Sequence, residues 1–240
     1  MIKLENVTKV YDGENVGLEN ASITINDGDF VFLVGPSGAG KSTFVKLLLK
    51  EINADSGNIT VDGLEITKLS NRNIPKHRRK IGMVFQDFRL LPKKTVFENV
   101  AFAMEVIHCK ESTITKRVPQ ALELVGVSDK QFRYPSELSA GEQQRVAIAR
   151  AIINKPSILI CDEPTGNLDP ITATDIMTLL EEINNTGTTI VMVTHAKDIV
   201  DRMNKRVVAI EDGHIVRDDI GVYGYDDILS TEGTKVESVE

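Results

Sequence analysis

The chain has 240 residues, of which 41% are hydrophobic, and a formal net charge of −7 at pH 7. This apolar content is enough for a sizeable core, so we expect an ordinary globular protein with one large domain or two small ones. The acidic charge argues against a general affinity for nucleic acid, and the lack of an N-terminal apolar segment or a long apolar run argues against a signal peptide or a membrane span.

The first third of the chain predicts strands around a glycine-rich loop. Runs of β-forming residues lie at residues 2–10, 21–25, 29–34 and 59–61. The third run leads through the loop into a predicted helix at residues 42–49, and the fourth ends in the turn pair Asp62-Gly63. The basic run at residues 76–80 is typical of a solvated turn before a strand, which we prefer to a nucleic-acid patch because the rest of the chain is acidic.

The middle and end of the chain predict helices followed by parallel strands. From Val96 to about Ile153 the apolar residues have helical spacing, which indicates an inserted helical subdomain. Residues 157–161 and 188–194 are typical of buried parallel strands, separated by a helix at residues 171–183. Two last strands, at residues 206–210 and 214–216, are joined by the hairpin signal Asp212-Gly213.

Two further features of the sequence carry no motif. The cysteines Cys109 and Cys161 are too few for a disulfide scaffold or a metal cluster, and they indicate a reducing compartment. From Gly221 onward the sequence is polar, and we expect a tail.

A stretch between the third predicted strand and the helix after it matches the phosphate-binding pattern G-x-x-x-x-G-K-[ST]. Its residues are Gly35, Pro36, Ser37, Gly38, Ala39, Gly40, Lys41, Ser42 and Thr43. Small residues let backbone N–H groups turn toward nucleotide phosphates, and the start of the helix adds partial positive charge. Lys41 would neutralise the terminal phosphates, and Ser42 would bind magnesium.

Two carboxylates, Asp162 and Glu163, follow the apolar run at residues 157–161. A parallel sheet presents its binding groups at the carboxyl ends of its strands. Asp162 is suited to hold magnesium through water, and Glu163 to orient or deprotonate an attacking water. A strand that ends in Asp-Glu is by itself more often a capped turn, but the phosphate-binding loop in the same chain favours the catalytic interpretation.

Ser139 and Glu142 have the S-x-x-E spacing of a capping box, which would open the helix that runs to Ile153. A capped helix N-terminus with Gly141 behind it can also receive a phosphate. The structural and the functional interpretation are compatible.

These motifs follow the order found in the ATP-binding cassette (ABC) ATPases, which the chain resembles over about residues 2–220. The matching motifs are the loop from Gly35 to Thr43, Gln86, LSAGEQQ from Leu138, ILICDE from Ile158, GNLD from Gly166, and His195. The resemblance implies an α/β fold in which a P-loop NTPase core of the RecA-like type carries an antiparallel β subdomain and an inserted helical subdomain. It implies a single ATPase domain at residues 1–222, with the core and β subdomain at about 1–89 and 156–222, the helical subdomain at about 90–155, and a polar tail at 223–240.

The resemblance also implies roles in binding and hydrolysing ATP with Mg²⁺. Tyr11 would stack on adenine, although a lone Tyr is more often a core or surface aromatic. Gln86 would approach magnesium and the attacking water, and His195 would contact the γ-phosphate. With Glu163 these two residues form the predicted catalytic set.

A head-to-tail dimer is a further implication of the resemblance. In it, a signature stretch of one subunit would close over the ATP held by Lys41 of the other, and Asp169 would lie across the same seam. The signature residues are Ser139, Ala140, Gly141 and Glu142. The family's usual LSGGQ is LSAGE here, so Glu142 brings an acid near a triphosphate. If its carboxylate folds back onto the Ser139 backbone, as the capping box predicts, the repulsion is avoided.

The apolar run beside Gln86 predicts a docking groove, because members of the family commonly drive membrane proteins that insert a short coupling helix there. The predicted groove residues are Phe85, Phe88, Leu90 and Leu91, followed by Val96 and Phe97, with Arg89, Lys93 and Lys94 as a polar rim. We expect about half of the apolar set to pack inside the helical subdomain, because a surface helix buries one face.

Within the family, the stretch VFQDFRLLPKKTVFENVAFAMEV and the ending VVAIEDGHIVRD before YGYDD look most like the cell-division ATPases. That resemblance implies a peripheral ATPase on the cytoplasmic face of the membrane at the division site, acting through a membrane partner on peptidoglycan hydrolysis outside the cell. The rival is a lipoprotein-release or macrolide-type exporter ATPase, which shares the run DEPTGNLD. A soluble cassette that acts on ribosomes or DNA is disfavoured by the single cassette and the acidic charge.

Overall fold

A computed structural model describes residues 1–11 and 15–224. The strands are β1 (Ile2–Tyr11), β2 (Asn15–Ile25), β3 (Phe30–Val34), β4 (Ser56–Val61), β5 (Leu64–Glu65), β6 (Ile81–Val84), β7 (Ile158–Asp162), β8 (Thr189–Val193), β9 (Arg206–Glu211) and β10 (His214–Ile220). The helices are α1 (Lys41–Leu48), α2 (Ile74–Arg78), α3 (Val96–Glu105), α4 (Glu111–Leu124), α5 (Ala140–Ile152), α6 (Pro170–Asn185) and α7 (Lys197–Met203). Two 3-10 turns, Ser128–Lys130 and Pro135–Glu137, lie between α4 and α5.

The strands form two sheets. An antiparallel sheet has the order β2-β1-β4-β5, and a six-stranded sheet has the order β10-β9-β3-β8-β7-β6. In the larger sheet β9, β3, β8, β7 and β6 are parallel, and β10 pairs antiparallel with β9. The predicted hairpin is confirmed, since Asp212 and Gly213 both have positive φ, as a two-residue type I′ turn requires.

The five parallel strands of the larger sheet are buried on both faces, because nearly every residue in them is buried and successive side chains point to opposite faces. On one face Val31 and Leu33 of β3 belong to a core shared with α1 and the antiparallel sheet. On the other face Phe30 and Phe32 belong to a core shared with α3 to α7. Burying a side chain such as Phe32 stabilises the fold by about 2–3 kcal/mol. The two cores fix the carboxyl ends of β3, β7 and β8, where the candidate site lies.

The segment from Val96 to Ile153 forms three helices rather than one continuous run, and α3 and α4 both pack against α5. Thr95 begins α3 with a capping box of its own, in which its hydroxyl accepts from the Glu98 N–H. The helices α3 to α5 therefore form the helical layer that the apolar spacing indicates.

The prediction of a solvated turn before a strand at residues 76–80 is confirmed in part. Four of the five side chains are exposed, residues 79–80 form a turn, and β6 follows at Ile81. Residues 76–78, however, belong to helix α2, and His77 is 1% exposed. The Nε2 atom of His77 lies 2.6 Å from the Leu48 carbonyl oxygen, and the Arg78 guanidinium donates to the carbonyls of Leu49 and Lys50 at 2.8 and 3.2 Å. A helix leaves its last carbonyls without partners, so these two side chains complete the end of α1 and hold α2 against it.

The remaining expectations from the sequence concern membrane spans, the two cysteines and the polar tail. Across residues 1–11 and 15–224, no helix is long and apolar enough to cross a membrane. Both cysteines are free, and complete burial raises the pKa of the Cys161 thiol, which makes it unreactive. Most of the predicted polar tail at 223–240 lies outside the described residues.

Candidate active site

The phosphate-binding loop between β3 and α1 has a backbone that requires glycine. Gly35, Gly38 and Gly40 have φ values of 143°, 84° and 117°, a region that side chains disfavour. A Cβ atom on Gly35 would collide with the Ile210 carbonyl oxygen, and one on Gly40 would collide with the Gly17 carbonyl oxygen. The loop is therefore held tightly between β9 and β2, in the shape of a cradle.

Lys41 lies across this cradle. Its Nζ atom donates to the carbonyls of Gly35 and Pro36 at 2.6 and 2.7 Å. Burial lowers the pKa of Lys41, and the charges of Glu163 and Asp162 oppose that shift. No side chain caps the start of α1, where Ser42 is exposed. The first N–H groups of α1 are thus free of side-chain acceptors and suited to bind an anion.

Tyr11 lies at the end of β1, beside the cradle. Its hydroxyl is 3.2 Å from Oγ1 of Thr43, which is buried. The ring lies over Gly17, where an added Cβ atom would be only 2.7 Å from the Tyr11 Cε2 atom. The predicted adenine-stacking residue is therefore next to the loop, and in this conformation its hydroxyl is bonded to α1.

Asp162 and Glu163 lie at the carboxyl end of β7, and His195 follows the neighbouring strand β8. The Nδ1 atom of His195 is 3.0 Å from Oε1 of Glu163. The Glu163 N–H donates to the Val193 carbonyl at 2.9 Å, and Glu163 has a φ of 47°. The two strand ends therefore hold the predicted base and the predicted γ-phosphate contact together.

Electrostatics distinguish Asp162 from an ordinary surface carboxylate. Burial and the charge of Glu163 raise the pKa of Asp162, while the charges of Arg89 and Lys41 act to lower it. Burial disfavours the ionised form, and a like charge adds to that cost. A cation bound at this point would relieve both effects.

Gln86 follows β6 and is held by the loop after Glu163. The Asn167 side chain donates to the Gln86 carbonyl at 3.0 Å. The Gln86 Nε2 atom lies against Gly166, 2.9 Å from the position of an added Cβ atom, and the Gly166 N–H donates to the Glu163 carbonyl at 3.1 Å. Gln86 and Glu163 are therefore connected by one short loop.

The donor set fits Mg²⁺. The predicted ligands are the Ser42 hydroxyl, the Gln86 amide and the Asp162 carboxylate, all of which offer the hard oxygen atoms that magnesium prefers. Within the described part of the chain, no group of three or more His, Cys, Asp or Glu side chains could hold a metal.

The capping box predicted for the signature stretch is confirmed. The Glu142 carboxylate accepts from the Ser139 N–H at 2.8 Å and from the Ser139 hydroxyl at 2.9 Å, while the Glu142 N–H donates to Ser139 Oγ at 3.3 Å. These bonds, chiefly that of the backbone N–H, lower the pKa of Glu142. The acid in LSAGE is thus turned back onto its own helix.

The signature stretch and Asp169 lie next to each other. Asp169 begins α6 by accepting from the N–H groups of Ile171 and Thr172, at 3.1 and 3.0 Å. Gly141 packs so closely on Thr172 that a Cβ atom there would collide with it. Beside this contact Ile171 is 78% exposed. The starts of α5 and α6 therefore form one surface with an exposed apolar residue.

The predicted partner groove is more buried than the sequence suggests. Val96 is fully buried, and Leu90 and Phe97, which are partly buried, pack against the core shared with α3 to α7. Half of the apolar set therefore contacts that core, as expected. The other three, Phe85, Phe88 and Leu91, are half-buried rather than exposed. Part of the cover on Phe85 is the Arg89 guanidinium, 3.8 Å from the ring centroid.

The family model described as ABC transporter matches residues 18–166. The chain belongs to the ABC transporter family. Relatives of this cassette that are similar over nearly their full length are named cell division ATP-binding protein FtsE. The FtsE of Streptococcus pneumoniae strain D39 is 51% identical over 228 residues, covering 95% of this chain and 99% of the relative. The FtsE of Bacillus subtilis is 55% identical over 225 residues, covering 93% and 99%.

A solved structure of the ATP-binding cassette MJ0796, a dimer in a post-hydrolysis state with ADP and Pi, aligns with a TM-score of 0.82. It is 36% identical and covers 92% of this chain and 98% of that one. The fold class predicted from the sequence is confirmed, and this cassette is an ABC-type ATPase.

The structure brings the predicted residues into two groups. Lys41, Asp162, Glu163, His195 and Gln86 are connected to one another through Glu163 and the loop after it. The signature stretch and Asp169 form the separate surface at the starts of α5 and α6. Sequence reasoning missed Asn167, although it lies in the GNLD run, because a side chain that supports a distant carbonyl has no pattern of its own.

Proposed function

We propose that this cassette is the ATP-binding and ATP-hydrolysing subunit of a cell-division ABC complex. It would dimerise on ATP and act through the integral membrane protein FtsX to regulate septal peptidoglycan hydrolysis, from the cytoplasmic face of the membrane at the division site. The observation that carries the proposal is the near full-length similarity to proteins named cell division ATP-binding protein FtsE.

The cradle supports the binding of ATP. Lys41 would exchange its bonds to the Gly35 and Pro36 carbonyls for phosphate oxygens, which keeps its charge satisfied. Ser42, Gln86 and Asp162 would hold Mg²⁺, which neutralises charge on the phosphates when bound. Tyr11 would leave its bond to Thr43 to stack on adenine.

The paired strand ends support hydrolysis. Glu163 would accept a proton from the attacking water, a role that needs a carboxylate next to the γ-phosphate. The Nδ1 atom of His195 is already bonded to that carboxylate, so His195 would fix the Glu163 rotamer. Its other ring nitrogen would contact the γ-phosphate. Gln86, held by Asn167, would orient the water.

The surface at the starts of α5 and α6 supports dimerisation. Ser139 and Gly141 lie at an N-terminus whose positive end favours an anion, and Asp169 and the exposed Ile171 lie beside them. A second copy would place its ATP here. Because the Glu142 carboxylate accepts two hydrogen bonds from Ser139, it is held against its own helix rather than turned toward that phosphate.

The membrane partner distinguishes this proposal from the exporter alternative, since the run DEPTGNLD is common to both. The test is to tag the chain in its own host, solubilise the membranes in mild detergent and identify the co-purified membrane protein by mass spectrometry. The proposal predicts an FtsX-type protein. Recovery of a lipoprotein-release or macrolide-exporter membrane subunit in its place would overturn it.

A further inference from the structure

The chain turns sharply just after Gln86, at Phe88 and Arg89. These residues have φ values of 58° and 47°, and they are the one pair of consecutive non-glycine residues with positive φ in the described ranges. A left-handed conformation costs a non-glycine residue about 1–2 kcal/mol. Such a turn persists only when its surroundings hold it.

Arg150 supplies that support from the last turn of α5. Its guanidinium donates to the Phe88 carbonyl at 2.8 Å and to the Arg89 carbonyl at 2.6 Å. The planar fork of an arginine matches two adjacent acceptors in a way that a lysine ammonium does not. Burial lowers the pKa of Arg150, but a guanidinium stays protonated in proteins.

The turn is connected to the hydrolytic site on its other side. Gln86, two residues before Phe88, is held by Asn167 through its carbonyl. The Arg89 side chain stacks on Phe85, and its charge acts to lower the pKa of Asp162. A shift of the turn would therefore move Gln86 and also Arg89, a cation whose charge acts on the predicted magnesium ligand Asp162.

The loop beyond the turn has a separate support. The fully buried Asn99 accepts from the Leu91 N–H at 2.7 Å and donates to the Lys94 carbonyl at 3.0 Å. Arg150 thus supports the backbone of the half of the loop that contains Gln86 and Phe88, and Asn99 supports the backbone of the half that follows Leu91.

The helix that carries Arg150 begins at the signature stretch. Ser139 and Arg150 are separated by 11 positions on α5, or about 16 Å at 1.5 Å per residue. A hydrogen-bonded helix of this length moves as one body. We infer that Arg150 is a positioning residue that couples the signature surface to Gln86. When α5 closes over the ATP of a second copy, the two hydrogen bonds of Arg150 move the turn, and Gln86 and Phe88 move with it. This inference rests on the proposed ATP site and dimer.

Arg145 provides a matched control on the same helix. It donates to the Val125 carbonyl at 3.0 Å and lies 3.8 Å from Asp175, so it also ties α5 to its neighbours. Among the described contacts, neither partner belongs to the loop after Gln86. Loss of Arg145 therefore reports the general cost of removing an arginine from α5.

The experiment compares Arg150→Gln, Arg150→Lys and Arg145→Gln with the wild type as full chains. We measure kcat and KM for MgATP hydrolysis, the Kd for ATP, and the melting temperature. We expect Arg150→Gln to lower kcat by about tenfold or more with Kd within about twofold, since small misplacements of a catalytic group are costly. Arg150→Lys, which keeps the charge and the stem, should fall between it and the wild type. Arg145→Gln should keep kcat within about twofold of the wild type.

A double variant separates positioning from general structure. If Arg150 acts through Gln86, then adding Arg150→Gln to Gln86→Ala should change kcat by less than about twofold. Additive losses, or equal losses in Arg145→Gln and Arg150→Gln, would overturn the inference. A wild-type chain that fails to hydrolyse ATP would instead overturn the proposed function, so the two failures are distinguishable.

Discussion

The Nδ1 atom of His195 lies 3.0 Å from Oε1 of Glu163, across the ends of the neighbouring parallel strands β8 and β7. The Glu163 N–H is bonded to the Val193 carbonyl, so backbone and side chain of Glu163 are both tied to the end of β8. The carboxylate is thereby fixed next to the two residues that we expect to contact the γ-phosphate, Lys41 and His195.

Glu163→Gln should lower the rate of ATP hydrolysis by about 100-fold or more, the usual effect of removing a general base. ATP binding should be retained, because the cradle is untouched. Lys41→Ala is the contrasting variant, since it removes the cation of the cradle and should weaken ATP binding or abolish hydrolysis. Single-turnover hydrolysis and filter-bound nucleotide report the two quantities. A Glu163→Gln protein with a normal rate would show that another group is the base.

Glu142→Gln should leave ATP hydrolysis within about a few-fold of the wild type. The Glu142 carboxylate is occupied by the N–H and hydroxyl of Ser139, and an amide oxygen can still accept the backbone bond. Steady-state turnover at saturating MgATP measures the effect. A hundredfold loss would mean that the acid of LSAGE has a direct role at the phosphate, and the capping explanation would be wrong.

Asp162→Asn should raise the melting temperature while it lowers Mg²⁺-dependent hydrolysis. Burial and Glu163 raise the pKa of Asp162, so the charged form destabilises the fold without a bound cation. Because the side chain is only partly buried, we expect a gain of at most about 1 kcal/mol in the free energy of unfolding. For a chain of this size that is about 2–4 °C.

The gain in stability from Asp162→Asn should depend on pH. A carboxyl with a raised pKa binds its proton more tightly in the folded state, so the wild type loses stability as pH rises from the ordinary value of 3.8 through the raised pKa. The gain from Asp162→Asn should therefore be absent below about pH 3.8 and complete once the pH exceeds the raised pKa. Glu65→Gln, which removes an exposed carboxylate paired with Lys68, is the control and should show no such gain. A gain that is constant with pH would show that the charge is not its cause.

Phe88→Ala and Leu91→Ala should weaken binding of the membrane partner while ATP binding persists. Both side chains are half-buried and lie outside the helical core, so each leaves apolar surface to a partner. Ile220→Ala is the control, because Ile220 is an exposed apolar residue of β10, at the opposite edge of the larger sheet from β6 and the loop after it. Co-purification from detergent-solubilised membranes measures the effect. Unchanged recovery with both groove variants would show that this loop is not the docking site.

The sequence predicts features that depend on residues close together in the chain. The phosphate-binding loop, the capping box of Ser139 and Glu142, and the hairpin at Asp212 and Gly213 each need only a few consecutive positions. Their chemistry is local, since backbone conformation and hydrogen bonds between residues up to four apart determine them.

Contacts between distant positions were not predictable in this way. His77 and Arg78 complete the end of α1 from 28 or 29 positions away, Asn167 supports Gln86 from 81 away, and Arg150 supports Phe88 from 62 away. In each case a side chain donates to a backbone carbonyl. Every residue has such an acceptor, so the sequence does not indicate which carbonyl a distant side chain will bind. For the same reason the sequence predicted the exposure of the basic run at residues 76–80 but not the helix or the buried side chain of His77 within it.

We propose that the surface at the starts of α5 and α6 completes the ATP site of a second copy. Light scattering during gel filtration of the Glu163→Gln protein tests this most directly, because it measures the mass of the assembly and hydrolysis cannot then reopen the dimer. We predict the mass of one chain without nucleotide and of two chains with MgATP, and the mass of one chain when Lys41→Ala is added. A single-chain mass at full ATP occupancy would contradict the account.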